Sequence, residues 1–168
     1  MVHPSKSDAR LSGLAYVAAA LIALVGLWQA REFYHDDAFI TLRYAHRLLN
    51  GAGLTWNAGE RIEGFSNPLW LLQAAALGVL GLDLAQATRI LGVLYLVALF
   101  VLWYRARAWP VALLLVVSQP GVILWARGGL ETMSFVFWLM ACAWLARDAY
   151  HRAGRDAPQA HRAAVLAG

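Results

Sequence analysis

The sequence has little charge, one cysteine and almost no lysine. Of its 168 residues, 14% are charged and 61% are hydrophobic, which is too apolar for a water-soluble domain of this length. Cys142 is the single cysteine, which excludes an intrachain disulfide and a cysteine-based metal centre. The 13 Arg and one Lys occur singly, so the basic runs typical of a nucleic-acid interface are missing and no nucleic-acid partner is expected. The composition predicts a membrane protein.

The polar residues separate five long apolar segments. The first, 11–30, has about 20 residues and is long enough to cross a ~30 Å hydrocarbon layer. It continues into Arg31 without a small-residue cleavage site, which favours a retained anchor over a secretory signal. The other four segments are 68–82, 84–104, 109–126 and 130–146. We expect an all-α bundle that forms a single membrane domain.

The segment 68–82 is ambiguous, because at 1.5 Å per residue it would span only ~22 Å. Arg and Lys are retained on the cytoplasmic side, so their distribution distinguishes two topologies. If all five segments cross, four positive residues lie inside and ten outside, which inverts this rule. If 68–82 instead rests on the bilayer surface, eight lie inside and six outside. The second topology, which obeys the rule, is the one we predict.

This topology has about four transmembrane helices and a cytoplasmic N-terminus, 1–10. Its outer loop, 31–89, carries two interfacial amphipathic helices, at about 38–50 and 68–82. A cytoplasmic loop, 147–162, and the start of a further helix, 163–168, follow the last span.

Two adjacent carboxylates, Asp36 and Asp37, directly follow the first apolar segment. The simpler interpretation is that Asp37 caps the next helix and Asp36 is a solvated acid. The alternative is that one of the two aspartates is a general base and the other is its neighbour. Repulsion between adjacent carboxylates is one way in which the pKa of a catalytic group is shifted. The helix itself is predicted by apolar residues at helical spacing, and the sequence from Asn50 to Gly53 predicts its end.

Five short blocks carry a family resemblance: 36–45 (DDAFITLRYA), 50–54 (NGAGL), 57–64 (NAGERIEG), 67–70 (NPLW) and 129–132 (GLET). Together they resemble the bacterial membrane glycosyltransferases of the GT-C class, which use polyprenyl-phosphate sugars. Within that class they are most similar to the arabinofuranosyltransferases that finish cell-wall arabinan. The topology predicted from the arginines places Glu131 on the same outer face as Asp36 and Asp37.

The resemblance implies a multi-pass protein of the bacterial plasma membrane that acts in cell-envelope glycan synthesis. It would transfer a sugar from a polyprenyl-phosphate lipid to a glycan hydroxyl outside the cytoplasm. Asp36 or Asp37 would remove the proton from that hydroxyl as it attacks. Arg43 or Arg61 could hold the phosphate in a bidentate fork, or could equally be a plain surface charge.

Further candidate residues lie in the same loop and next to the last span. Glu60 and Glu63 would bind sugar hydroxyls or simply fix the loop, and Glu131 is a further candidate for binding the substrate. The rings of Trp56, Phe65 and Trp70 could stack on a sugar or belong to an interfacial aromatic belt.

A metal site is conceivable from His35 and His46 with the acids, but these residues lack a metal-ligand spacing. We expect no metal and no cofactor apart from the lipid-linked donor.

Members of the class have many more spans, so we expect this chain to be an N-terminal portion and to lack parts that the donor lipid needs.

Besides the glycosyltransferase, two other hypotheses for the function stay open. A rival of another class is a small transporter-like or scaffold membrane protein whose acids bind a cation or a partner. The third possibility is an inactive remnant of a broken gene.

Overall fold

The computed structural model describes residues 6–60, 62–106 and 108–166, with side chains described for 10–60, 62–106 and 108–154. All regular secondary structure in these residues is helical, which confirms the all-α fold. The seven helices are α1 (Lys6–Gln29), α2 (Ala38–Leu49), α3 (Pro68–Val79), α4 (Leu84–Arg105), α5 (Pro110–Val117), α6 (Pro120–Arg127) and α7 (Thr132–Leu166).

Two of the described helices are long and apolar enough to cross a membrane. They are α4 and the part of α1 from Arg10 to Gln29, and a third span results if α5 and α6 are counted as one bent pair. The predicted fourth span forms the beginning of α7, which does not join this count because Arg147 and Asp148 interrupt its apolar sequence. The fold is therefore a helical membrane bundle.

The predicted segment 109–126 is broken into α5 and α6 at Pro120. The two helices meet at an angle of 69°. Proline has no N–H to continue the hydrogen bonds of α5, and Pro120 instead occupies the first turn of a new helix. Ser118 closes α5, since its hydroxyl donates to the Leu114 carbonyl at 2.7 Å.

Contacts between α1 and α4 identify the two ends of the bundle. At one end, the Tyr16 ring of α1 packs edge-on against Tyr104 near the end of α4, with ring centroids 5.6 Å apart. At the opposite end, Tyr34 after α1 contacts Thr88 near the start of α4, with 2.9 Å between the hydroxyl oxygens. We call this second end the acidic end, because it holds residues 33–37.

Helix α3 stays near the acidic end. Near its start, Trp70 Nε1 donates at 3.0 Å to the carbonyl of Gly129, the residue that lies against the Tyr34 ring. The 12 residues of α3 extend about 18 Å, short of a ~30 Å hydrocarbon layer.

The two helices of the loop differ in character. Helix α2 is amphipathic as predicted: Leu42 and Tyr44 are buried, whereas Arg43 is exposed. The prediction that α3 is amphipathic is wrong, because it is apolar on both faces, with Leu71 buried and Leu69 exposed. Gln73 is the single amide or charged side chain in α3, so a polar face cannot form.

The structure also differs from prediction after residue 146. The stretch 147–162, predicted as a loop, continues α7 as a helix to Leu166. An ion pair one helical turn apart supports this continuation, with Arg152 Nη2 2.6 Å from Asp148 Oδ2. Alanine-rich sequence here favours helix more than the charge pattern suggested.

Candidate functional site

The segment before α2 is held firmly against the bundle. The His35 backbone N–H donates to the Gly128 carbonyl at 3.0 Å, and the His35 ring stacks on Trp125 with centroids 5.4 Å apart. The Tyr34 ring lies against Gly129, where an added Cβ would overlap it. Gly129 has a φ of +82°, so glycine meets both the steric and the backbone requirement of this turn. The backbone directly before Asp36 and Asp37 is therefore held in a fixed position.

Asp36 and Asp37 project from this fixed position into open space. Their side chains are 94% and 67% exposed. Asp37 occupies the N-cap position of α2, but its side chain makes no capping hydrogen bond, so the capping interpretation is wrong. Its backbone N–H instead donates to Asp36 Oδ1 at 3.0 Å. Both carboxylates thus lie beside the N-terminus of α2.

His35 adds to this pair a third atom of a type that can bind a metal ion. Its Nδ1 lies 3.1 Å from Asp36 Oδ1 and 3.7 Å from Asp37 Oδ2, and one ligand atom from each residue lies within 4.8 Å of the others. The Asp37 N–H also points at Nδ1, at 3.2 Å, so Nδ1 either accepts that hydrogen or is protonated and donates to Asp36. His46 is not part of this group, because its ring lies beside Asn50 at the other end of α2.

The loop between α2 and α3 folds around Tyr44. This side chain is fully buried, and its hydroxyl donates to the Ile62 carbonyl at 2.6 Å while accepting from the Gly64 N–H at 3.0 Å. The rings of Trp56 and Phe65 pack on Tyr44 with centroids 5.7 and 4.9 Å away. Both rings therefore pack within the loop, a role that the sequence analysis did not consider.

Arg43 is used to hold the same loop. Its Nε donates to the Trp56 carbonyl at 3.0 Å, its Nη2 donates to Asn57 Oδ1 at 2.7 Å, and its guanidinium lies 4.2 Å from the centre of the Trp56 ring. Glu60 belongs to this network, since it accepts from Asn57 Nδ2 at 2.8 Å. Glu63 is exposed and lines a shallow hollow, and Arg61 lies outside the described residues.

Glu131 is joined to the loop by a chain of hydrogen bonds. Asn67 Nδ2 donates to Glu131 Oε2 at 2.7 Å, and Asn67 Oδ1 accepts from the Thr41 hydroxyl at 3.1 Å. Thr41 lies one helical turn after Asp37, so these hydrogen bonds connect the first turns of α2 to Glu131. Glu131 also lines an open cleft of about 440 Å³ whose other wall includes Trp138.

Trp70 lies beneath this cleft as a core residue. It is 2% exposed, and its Nε1 donates to the Gly129 carbonyl at 3.0 Å. Trp70 also lines the cleft with little exposed surface, and its role in binding a sugar stays a prediction.

Of the candidate residues, Asp36, Asp37 and Glu131 lie at the acidic end, since Gly128, three residues before Glu131, accepts a hydrogen bond from the His35 N–H. Sequence reasoning missed the roles of Thr41 and Asn67, and the only signal for Asn67 was the following proline, which marks a helix start.

These features define a class: a helical membrane protein that carries exposed carboxylates where its first loop meets the bundle. Comparison with known proteins adds a particular likeness. The chain is similar to the terminal beta-(1->2)-arabinofuranosyltransferase of Mycobacterium tuberculosis, with 28% identity over 151 residues that cover 77% of this chain and 24% of the relative. It is also similar to the terminal beta-(1->2)-arabinofuranosyltransferase of Corynebacterium glutamicum, with 40% identity over 57 residues that cover 34% of this chain and 8% of the relative.

These matches confirm the resemblance read from the five sequence blocks. The matched part of this chain spans at most about a quarter of the length of either relative. No protein-family model and no solved structure matches the chain.

Proposed function

We propose that this protein is a membrane glycosyltransferase that transfers arabinofuranose from a polyprenyl-phosphate lipid to a hydroxyl of a cell-envelope glycan. The observation that carries the proposal is the exposed Asp36–Asp37 pair, held at the acidic end by the contact of His35 with Gly128. The similarity to two proteins named as terminal arabinofuranosyltransferases supports the choice of sugar.

In this mechanism, Asp36 or Asp37 accepts the proton of the acceptor hydroxyl while the hydroxyl oxygen bonds to the anomeric carbon of the donor sugar. The bond between that carbon and the phosphate oxygen breaks, and the lipid phosphate leaves with the electron pair. Both carboxylates have the exposure that a general base needs in order to reach an incoming hydroxyl.

Glu131 is proposed to bind a hydroxyl of one of the two substrates. Its Oε2 already accepts from Asn67, which fixes the carboxylate, and a carboxylate has further acceptor positions for sugar hydroxyls. The cleft beside it is lined by Phe135 and Trp138, which offer apolar surface to a sugar face.

The proposed location is the bacterial plasma membrane, with the acidic end outside the cytoplasm. The arginine distribution supports this orientation, because the positive residues near the far end, such as Arg105, would then lie inside. Donor lipids approach such a site from the membrane, and the acceptor glycan approaches from the aqueous side.

The test is a transfer assay in membranes from cells that express the protein from its own gene. The donor is a polyprenyl phosphate that carries radiolabelled arabinofuranose, and the acceptor is a short arabinan oligosaccharide. Asp36→Asn and Asp37→Asn keep the side-chain shape but remove the base, so we expect one of them to lower transfer by about 10²- to 10⁴-fold.

Asp148→Asn is the matched control, since it removes an equal charge from an ion pair in α7. We expect it to transfer sugar at the unsubstituted rate. The proposal fails if the unsubstituted protein transfers no arabinofuranose, or if Asp36→Asn and Asp37→Asn both transfer it normally.

A further inference from the structure

Helices α4 and α6 approach each other unusually closely near the acidic end. A Cβ on Gly92 of α4 would overlap the backbone carbonyl of Ala126 in α6, so only glycine permits this approach. Small residues are the usual means by which membrane helices bring their backbones together. Arg89 lies one turn before Gly92, and Arg127 directly follows Ala126, so the helix contact brings these two arginines together.

Both guanidinium groups lie beside the segment that leads into the acidic pair. Arg89 lies over the Tyr34 ring, 4.9 Å from its centre, and Arg127 Nη2 donates to the Arg31 carbonyl at 3.0 Å. The two positive charges are close enough to repel each other. Glu32 offsets part of this repulsion at Arg127, and a further negative charge between the two guanidinium groups would lower the energy of the site more.

Neither arginine is paired with an acid in the described part of the chain. The ion pairs there involve other residues. The Nε atoms of Arg89 and Arg127 are both buried and make no hydrogen bond. A buried donor without a partner costs about 1–3 kcal/mol, and more when the group is charged. Two such donors in neighbouring guanidinium groups would be stabilised by an anionic ligand.

We propose that Arg89 and Arg127 form a binding site for a phosphate group carried by a membrane lipid. Guanidinium groups bind phosphate through paired, charge-assisted hydrogen bonds, and both arginine side chains are partly exposed. The site lies at the acidic end, and its helices α4 and α6 have apolar surfaces toward the lipid, with Ile90 and Leu124 exposed. A lipid chain can therefore stay in the membrane while its phosphate reaches the arginines.

This inference deepens the proposed function, on which it relies only for the identity of the lipid. The phosphate leaving group of the sugar donor would occupy this site, near the carboxylates at the same end of the bundle. The sequence offered Arg43 or Arg61 for the phosphate; Arg43 donates hydrogen bonds to the loop, and Arg61 lies outside the described residues.

The test is calorimetric titration of the purified protein in detergent micelles with farnesyl phosphate, farnesol and inorganic phosphate. We expect farnesyl phosphate to bind and farnesol to bind at least ten-fold more weakly. Arg89→Gln and Arg127→Gln should each weaken the binding of farnesyl phosphate by about 10- to 100-fold, the value of hydrogen bonds to charged groups. Arg127→Lys keeps the positive charge but loses the paired donors of the guanidinium, so it should give an intermediate affinity.

Arg105→Gln is the matched control, because it removes the same charge from the exposed far end of α4. It should bind farnesyl phosphate normally. Circular dichroism must show unchanged helix content in each variant, and Arg127→Lys provides a second comparison if either glutamine variant fails to fold.

Inorganic phosphate identifies the source of the anion. If it binds as tightly as farnesyl phosphate, and the binding needs both arginines, the phosphate site is supported but its lipid source is overturned. Unchanged binding of farnesyl phosphate in both glutamine variants would overturn the site altogether. Because the titration requires no sugar transfer, this failure is separate from the outcome with Asp36→Asn and Asp37→Asn.

Discussion

Asn67 donates a hydrogen bond to Glu131 over 2.7 Å, although 64 positions separate the two residues. This contact joins the N-cap of α3 to the turn that precedes α7. The hydroxyl of Thr41, which is 4% exposed, donates a hydrogen bond to Oδ1 of the same Asn67 side chain. One asparagine side chain therefore connects α2, α3 and the start of α7, and it sets the direction of the Glu131 carboxylate.

We expect Asn67→Asp to destabilise the protein by about 1–3 kcal/mol, because it replaces the donor to Glu131 with a second carboxylate. The double variant Asn67→Asp/Glu131→Gln should recover most of this loss, since the exchanged pair can form the same contact with donor and acceptor reversed. Thermal unfolding in detergent micelles measures both effects. A double variant as unstable as the sum of its single variants would show that the contact does not matter.

Gly129→Ala should be among the more damaging glycine substitutions in the loop regions. Gly129 has a φ of +82°, and a Cβ there would overlap the Tyr34 ring. Gly51→Ala is a matched comparison, with a φ of +75° and no heavy atom near its Cβ position. The backbone conformation alone costs about 1–2 kcal/mol, so Gly51→Ala should lose about that much stability. Gly129→Ala should lose clearly more, and equal losses would contradict the contact with Tyr34.

Tyr34 should make stability depend on pH in the alkaline range. Burial raises the pKa of its phenol above the ordinary value of 10.0, although the hydrogen bond with Thr88 and the charge of Arg89 act in the opposite direction. Below about pH 10 the phenol is neutral in both the folded and the unfolded chain. As the pH rises further, the unfolded chain ionises first, so the folded state loses stability up to its own higher pKa.

Tyr34→Phe tests this dependence, because phenylalanine cannot ionise. At neutral pH we expect it to lose about 0.5–1.5 kcal/mol, since its ring cannot bond to the Thr88 hydroxyl. Thermal unfolding measured at neutral pH and above about pH 10 should show a smaller decrease for the variant than for the unsubstituted protein. Parallel decreases would assign the alkaline sensitivity to other groups.

Local sequence signals were sufficient for much of the fold. Apolar spacing predicted α2, and the stop at Asn50 to Gly53 was found because glycine accommodates the turn, where the Ala52 N–H bonds to the Arg47 carbonyl at 2.9 Å. The starts of α3 and α5 were marked by Pro68 and Pro110 in the first turn. Such signals act within a few residues, so a sequence displays them directly.

The parts of the site that depend on distant contacts were not predictable in this way. The pairing of Asn67 with Glu131 and the approach of Arg89 to Arg127 depend on how helices pack, and packing joins residues that are far apart in the sequence. The role of Arg43 was also open, because only the folded loop brings Asn57 and the Trp56 carbonyl within its reach. The acidic pair was found because its two residues are adjacent.

The orientation of the protein can be tested with cysteines at two exposed positions. In a background of Cys142→Ala, we expect Ala58→Cys, in the loop between α2 and α3, to react with a membrane-impermeant maleimide on intact cells. Tyr150→Cys, in the part of α7 expected to lie inside, should react only after permeabilisation. The physical reason is that the arginines near the far end of the bundle are retained in the cytoplasm.

Both substitutions avoid the charged residues that determine topology, so the labelling reports the natural orientation. The opposite pattern, with Tyr150→Cys labelled from outside and Ala58→Cys protected, would place Asp36 and Asp37 in the cytoplasm. A glycan acceptor outside the cell could not then reach the carboxylates, and the proposed transfer would be excluded even if the helices pack as described. Labelling of Ala58→Cys from outside would instead leave the carboxylates accessible to that acceptor, as the general-base mechanism requires.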